Sequence, residues 1–190
     1  MACFFGFGSL VNTGTHKYEM LAPARVNGWA RTWVHHDWYD HSLLSVTPEP
    51  GTHIHGLMAR VPGDDWAELD LRENGYDRYM LREGEWQADT SPAPLAETDV
   101  QMYKHAHGGF AKPDKPILWS YLETVLFGYY QVFGSAGVEA FMATTRHWTD
   151  VLDDRKDPVY PRYVPVVGEM ATAVVMPQIE SQNIVMTPRR

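Results

Sequence analysis

The sequence has a single cysteine, Cys3, so no disulfide can form within the chain. Basic residues are short as well: 16 Lys and Arg stand against 24 Asp and Glu, a net charge of −8. That balance argues against non-specific nucleic-acid binding, which needs a basic footprint, and against an anionic membrane surface as partner. No apolar run approaches the roughly 20 residues that span a bilayer. The first ten residues lack the basic n-region and small-residue cleavage site of a signal peptide, and no internal repeat is present. The expected partners therefore include no nucleic acid and no membrane, and the expected address is the cytoplasm.

What the chain does have is length enough for one domain, or one domain with a helical appendix: 190 residues, 44% of them hydrophobic. Its 13 prolines and 15 glycines are scattered, so the chain turns often without a low-complexity tract. Seven Trp and ten Tyr favour a densely packed body and aromatic-lined clefts.

Residues 2–7 form a short apolar run that breaks at Gly8-Ser9, which predicts a buried strand ending in a loop. Residues 25–38 predict one long strand or two. Strands at 42–47 and 53–61 follow, separated by a turn at Pro48-Glu49-Pro50-Gly51. Asp64 is placed to cap a helix over 64–73, with Asp64-Asp65 supplying N-terminal negative charge. Asn74-Gly75 stops that helix. Strands are predicted at 76–86 and 100–106, a proline-bearing loop at 91–98, and two helices at 116–133 and 136–146 joined at Gly134-Ser135. A loop over 153–165 and a last strand at 170–176 complete the reading. Strands early and helices late, without regular alternation, indicate an α+β protein built on a closed or nearly closed sheet.

The helix over 64–73 carries a chemical clue. At about 100° per residue, Trp66, Leu69 and Glu73 share one side, while Glu68 and Arg72 point the other way. A carboxylate projecting where apolar side chains project loses hydration, which raises its pKa and makes it a better base near neutral pH. The alternative is that Glu73, at the helix end, swings out to solvent as most structural carboxylates do.

Phe5-Gly6-Phe7-Gly8-Ser9-Leu10 places small residues directly after an apolar strand, where successive main-chain N–H groups can form a nest for a carboxylate or phosphate. Neither the dinucleotide fingerprint nor a phosphate loop is satisfied there. Taken alone, the segment also fits an ordinary tight turn.

These features occur in the order of a known family. Phe7-Gly8-Ser9-Leu10 resembles the Tyr-Gly-Ser-Leu/Asn loop of γ-glutamylcyclotransferases, and Val26-Asn27-Gly28-Trp29 resembles their Val-x-Gly-Trp/Tyr strand. His55-Gly56-Leu57 is similar to the Gly-x-hydrophobic strand before the helix. The stretch from Leu69 through Glu73, Gly75 and Tyr76 to Arg78 resembles the Leu-Asp-x-x-Glu-Gly-x-Tyr-x-Arg segment, closest to bacterial ChaC-type and AIG2-like members. The resemblance covers roughly residues 1–130.

The resemblance implies a mixed β-barrel flanked by helices in a single domain over 1–190, with a helical and loop extension over about 131–190 and no metal or organic cofactor. It also implies a γ-glutamyl substrate such as glutathione, a γ-glutamyl peptide or a γ-glutamyl amine. Cyclisation of that group releases 5-oxoproline. Glu73 takes the role of general acid/base, and Phe7, Gly8, Ser9, Leu10, Tyr76 and Tyr121 that of substrate binding. Phe7 departs from the family's loop tyrosine by lacking its hydroxyl. The extension with Asp153-Asp154-Arg155 and Tyr160-Pro161-Arg162 has three roles open to it: lining the site, a dimer contact, or a cover for the barrel. These departures motivate a second expectation, a small-molecule binding or interaction domain without turnover.

Other residues read more plainly. Nine histidines include the strand pair His53 and His55, which share a face, and His105 with His107, yet no further ligand stands at recognised metal spacing. Cys3 reads as a small core residue. Leu118, Trp119, Leu122, Leu126, Tyr129 and Phe133 lie near helical spacing and predict core packing, or a candidate homodimer face if exposed.

Overall fold

The computed structural model describes residues 1–89, 99–105, 109–112, 114–166, 176–181 and 184–189. The loop expected at 91–98, His107 and nearly all of the strand expected at 170–176 lie outside these residues.

In chain order the elements are β1 (Ala2–Gly6), β2 (Met20–His35), β3 (Leu43–Arg60), α1 (Ala67–Arg72), β4 (Tyr76–Met80), β5 (Trp86–Ala88) and β6 (Asp99–His105). After these come β7 (Gly109–Phe110), β8 (Ile117–Leu118), α2 (Trp119–Ala143), β9 (Thr145–Arg146), β10 (Val151–Asp153), α3 (Met176–Ser181) and β11 (Met186–Pro188). The fold is α+β, as expected. Among the described residues an 8-stranded mixed sheet runs β4-β6-β1-β3-β2-β5, with β7 and β9 also pairing with β2. Strands β1 and β6 run parallel, while β1–β3, β2–β3 and β4–β6 are antiparallel. The path is open, with β4 and β5 at its ends, so the sheet curls without closing into the barrel that the resemblance implies. A smaller parallel sheet joins β11, β10 and β8.

The long β2–β3 ribbon corrects one expectation. Residues 48–51 do not end a strand: Trp29 pairs with Pro48 and Asn27 with His53, so 49–52 form an irregularity inside one continuous β3. The proline and glycine signal is real, but it marks a bulge, where a proline's missing N–H is tolerated.

Alternate residues of β1 serve two cores, as the period of 2 requires. Cys3 and Phe5 join Trp33, Trp119, Leu122, Leu126 and Tyr129, which brings α2 onto that side. Phe4 joins Leu10, Ala59, Val61, Leu69 and Tyr103, which anchors α1. Leu69 is wholly buried, and burying such a side chain contributes about 2 kcal/mol toward fixing α1. Of the stripe, Leu118, Trp119, Leu122, Leu126 and Tyr129 are buried within the chain and pack the core, while Phe133 is partly buried against the same cluster. Gly134, at φ 66° and ψ −164°, interrupts α2 where the sequence predicts the joint between two helices.

Two details at α1 differ from the sequence reading. Asp65, not Asp64, receives the N–H of Ala67, while the Asp64 carboxylate takes the Ala2 N–H at 2.7 Å. The helix itself ends at Arg72, and Glu73 is its C-cap. Cys3 is fully buried, and burial pushes its thiol up to about 11. Among the described residues no group of three or more His, Cys, Asp or Glu side chains is gathered as a metal site. No described helix is long and apolar enough to cross a membrane.

Candidate functional site

Strand β1 delivers its last residues to a 3-10 turn over Ser9–Val11, closed by the Val11 N–H on the Gly8 carbonyl at 3.0 Å. From the neighbouring face, α1 runs toward the same point and stops. The Glu73 N–H still reaches the Leu69 carbonyl at 2.9 Å, and Gly75, at φ 93°, then reverses the chain into β4. The loop after β1 and the C-cap of α1 thereby border one cavity of about 230 Å³.

That cavity is lined by Phe7, Gly8, Ser9, Leu10, Glu73, Tyr76 and Tyr121, all of the site residues named from sequence. Among its described lining residues, Glu73 is the one carboxylate. The Glu73 side chain is 20% exposed, so it turns inward instead of swinging to solvent. Burial pushes its carboxyl above the ordinary glutamate value. The Arg72 guanidinium, and more weakly Arg162, pull the other way.

Arg72 contradicts the helical-wheel expectation. Its side chain is only 7% exposed and curls back over the helix end, with Nε donating to Glu73 Oε1 at 3.1 Å. Its remaining nitrogens donate to Thr15, to the main-chain oxygen at 3.1 Å and to Oγ1 at 3.2 Å. The Cα–Cβ direction that spacing gives does not fix where three further methylenes carry a guanidinium.

Tyrosines make up much of the remaining wall. The Tyr76 hydroxyl donates to the Leu44 carbonyl at 2.9 Å, which fixes the side chain in the wall. Tyr121 sits against the loop so closely that a Cβ at Gly8 would lie 2.8 Å from its hydroxyl. The Ser9 main chain hydrogen-bonds that hydroxyl, and the Ser9 side chain hydrogen-bonds Tyr160. Burial raises the pKa of Tyr76, Tyr121 and Tyr160, so all three are neutral donors and acceptors near pH 7.

The loop rests on a buried cation that the sequence reading did not single out. Arg31, on β2, is 1% exposed, and its Nε donates to the Phe7 carbonyl at 3.0 Å. Its other nitrogens donate to Thr144 Oγ1, the His55 carbonyl and the Tyr129 hydroxyl. The guanidinium carbon also stands 4.8 Å and 4.7 Å from the ring centroids of Tyr129 and Phe141. No carboxylate appears among these partners; carbonyl oxygens, hydroxyls and ring faces stabilise the charge. The carbonyl before Gly8-Ser9 is thus held from behind.

Residues 160–162 supply the last part of the wall, so the first of the three roles open to the extension is the one it takes here. Buried Asp154 organises the approach: it accepts from Ser120 N at 2.8 Å, Ser120 Oγ at 2.6 Å and Val159 N at 2.9 Å. Tyr39, His41, Leu44, Tyr160 and Arg162 line the cavity without having been named as site residues. Only the acidic, basic and tyrosine clustering of 153–162 hinted at the last two.

No family model matches the sequence, and no curated protein does. Solved structures do. A protein described as "Gamma-glutamyl cyclotransferase" is 12% identical with a TM-score of 0.58, over 92% of this chain and 98% of that one. Uncharacterized protein loc79017 from Homo sapiens is 14% identical with a TM-score of 0.56, over 92% and 97%. YkqA from Bacillus subtilis is 14% identical with a TM-score of 0.54, over 73% of this chain and 51% of that one. At these identities the likeness is one of fold, and the fold is γ-glutamylcyclotransferase-like.

Proposed function

We propose that a chain with this fold and this cavity cyclises a γ-glutamyl group to 5-oxoproline and releases an amine or peptide, with Glu73 as the general acid/base. One observation carries the reading: an inward-facing carboxylate of raised pKa stands across a small cavity from a loop of small residues. The fold shared with a solved structure described as a γ-glutamyl cyclotransferase supports it.

The chemistry asks for little more. The substrate's α-ammonium cannot attack, so Glu73 first takes one proton from it. The freed amine adds to the γ-carbonyl carbon, forming the new C–N bond and an oxyanion. The Leu10 main-chain N–H opens the 3-10 turn ahead of any carbonyl partner within it and is suited to that oxygen or to the substrate carboxylate, the Ser9 main chain being engaged by the Tyr121 hydroxyl. Protonated Glu73 then donates to the leaving nitrogen as its C–N bond breaks. The second proton of the ring nitrogen leaves through the same carboxylate, so that the products are a neutral lactam nitrogen and a protonated amine. Closure of a five-membered ring is intramolecular, and orientation within the cavity supplies much of the barrier reduction.

Arg72 keeps the carboxylate from becoming too weak an acid in its buried setting, while the neutral tyrosines orient the substrate without adding charge. The test is 5-oxoproline release from a panel of glutathione, γ-glutamyl dipeptides and γ-glutamyl amines. Turnover of at least one is expected, and release from none would refute the reading.

A further inference from the structure

Beyond Arg72 the cavity has a neighbour, an open cleft of about 550 Å³ lined by residues that include Lys17, Glu68, Leu71, Arg72 and Arg162. Arg72 and Arg162 are common to both walls. The two arginines differ in what they have left to offer. Arg72 is spent on Glu73 and Thr15, whereas Arg162 is exposed and makes no ion pair or hydrogen bond among the described residues.

Arg162 is held where it is. On its N-terminal side, Val159 N donates to Asp154 and Tyr160 N to Ser120 Oγ at 3.2 Å. On its C-terminal side, the Tyr163 hydroxyl donates to Glu123 and Val164 N to Thr124 Oγ1 at 3.1 Å. These rungs pin the segment to α2 on both sides of Pro161-Arg162 and leave that pair as the part projecting over the junction of cavity and cleft.

Geometry then fixes which part of a substrate would reach the junction. The carboxylate that protonates the leaving nitrogen must lie within hydrogen-bond reach of it. The α-amine must meet Glu73 too, so both halves of the substrate start at that carboxylate; with the glutamyl carboxylate at the loop after β1, the leaving group extends toward Arg72, Arg162 and the cleft. In a chain of net charge −8, that cleft presents Lys17 and Arg162 against one uncommitted acid, Glu68. Its apolar edge is Leu71, 80% exposed.

We propose that this cleft is the leaving-group subsite and that Arg162, assisted by Lys17, is a specificity-determining residue that reads a carboxylate on the departing portion. The inference rests on the cyclotransferase reading of Glu73. A γ-glutamyl amino acid or peptide satisfies Arg162 with a charge-assisted, bidentate contact, and a γ-glutamyl amine leaves it without one.

The test compares γ-glutamyl-alanine with its C-terminal amide, which differ at the leaving portion by one charge. The wild type favours the acid in kcat/KM by roughly tenfold or more. Arg162→Ala lowers that preference by roughly tenfold, mainly through KM for the acid, because the contact persists unchanged from ground to transition state. Arg162→Lys recovers part of it, and Glu68→Gln raises it. Reading the ratio cancels any effect of Arg162 on Glu73, which both substrates share. Equal turnover of acid and amide by the wild type, or a ratio unmoved in Arg162→Ala, overturns this inference and leaves the cyclotransferase reading in place. Turnover of neither substrate overturns this inference, and it overturns the cyclotransferase reading as well only when no member of the wider γ-glutamyl panel releases 5-oxoproline.

Discussion

The Arg72 guanidinium and the Glu73 carboxylate, neighbours in sequence, meet at 3.1 Å over the end of α1 inside a shared wall. Their contact sets two influences against each other. Burial disfavours the charged carboxylate, and the adjacent cation favours it. Burial prevails, so the carboxyl titrates above its ordinary range.

The first prediction follows from that contest. Arg72→Gln removes the largest influence lowering the Glu73 pKa. The acid limb of the kcat/KM–pH profile should then move to higher pH. A limb that stayed in place would mean that Glu73 does not set it.

The same shift has a consequence for stability. A carboxyl whose native pKa is raised binds its proton more tightly folded than unfolded. Its favourable contribution is complete below the unfolded pKa and is lost as pH rises through the native one. Glu73→Gln should therefore gain thermal stability relative to the wild type at neutral pH, and the gain should shrink toward about pH 4. Melting curves at both pH values check this, and a gain larger in acid would contradict it.

Gly8 bears on the loop directly. Gly8→Ala brings a Cβ to 2.8 Å from the Tyr121 hydroxyl and should cost about 1–3 kcal/mol by overpacking. Its activity should fall as the loop shifts. Adding Tyr121→Phe removes the clashing oxygen and should recover part of the stability, as measured by urea denaturation in a double-mutant cycle.

Arg31 is expected to be costly to truncate. Arg31→Ala discards four hydrogen bonds to Phe7, His55, Thr144 and Tyr129 and leaves a cavity, a loss of about 3–5 kcal/mol by denaturant titration. Activity per folded molecule should fall as well, since the carbonyl ahead of Gly8 is released. Wild-type stability in this variant would show that the charge is not holding the loop.

Much of the site was legible because its parts are local. Glu73 stands out from helical spacing over ten residues, and the Gly8-Ser9 turn from the end of an apolar strand. Their meeting was not local: it came from the order of motifs that resembles a known family, and the structure brings both to one cavity. Tyr39, Tyr160 and Arg162 arrive from segments without periodicity, where only tertiary packing decides what lines a wall. Arg72 was placed on the wrong side because a wheel locates Cβ atoms and not the ends of long side chains. The barrel implied by resemblance is an open, curled sheet, since the pairing of its ends is a long-range property that no strand pattern encodes. Arg31 is not legible from sequence, because its carbonyl and hydroxyl partners come from four separate segments.

The most direct measurement is 5-oxoproline release from the best γ-glutamyl substrate by the wild type and by Glu73→Gln, side by side. Loss of a general acid/base predicts a fall of about 10²–10⁴-fold in kcat with the fold retained. Full turnover by Glu73→Gln would contradict the assignment of Glu73 and, with it, the account of the cavity.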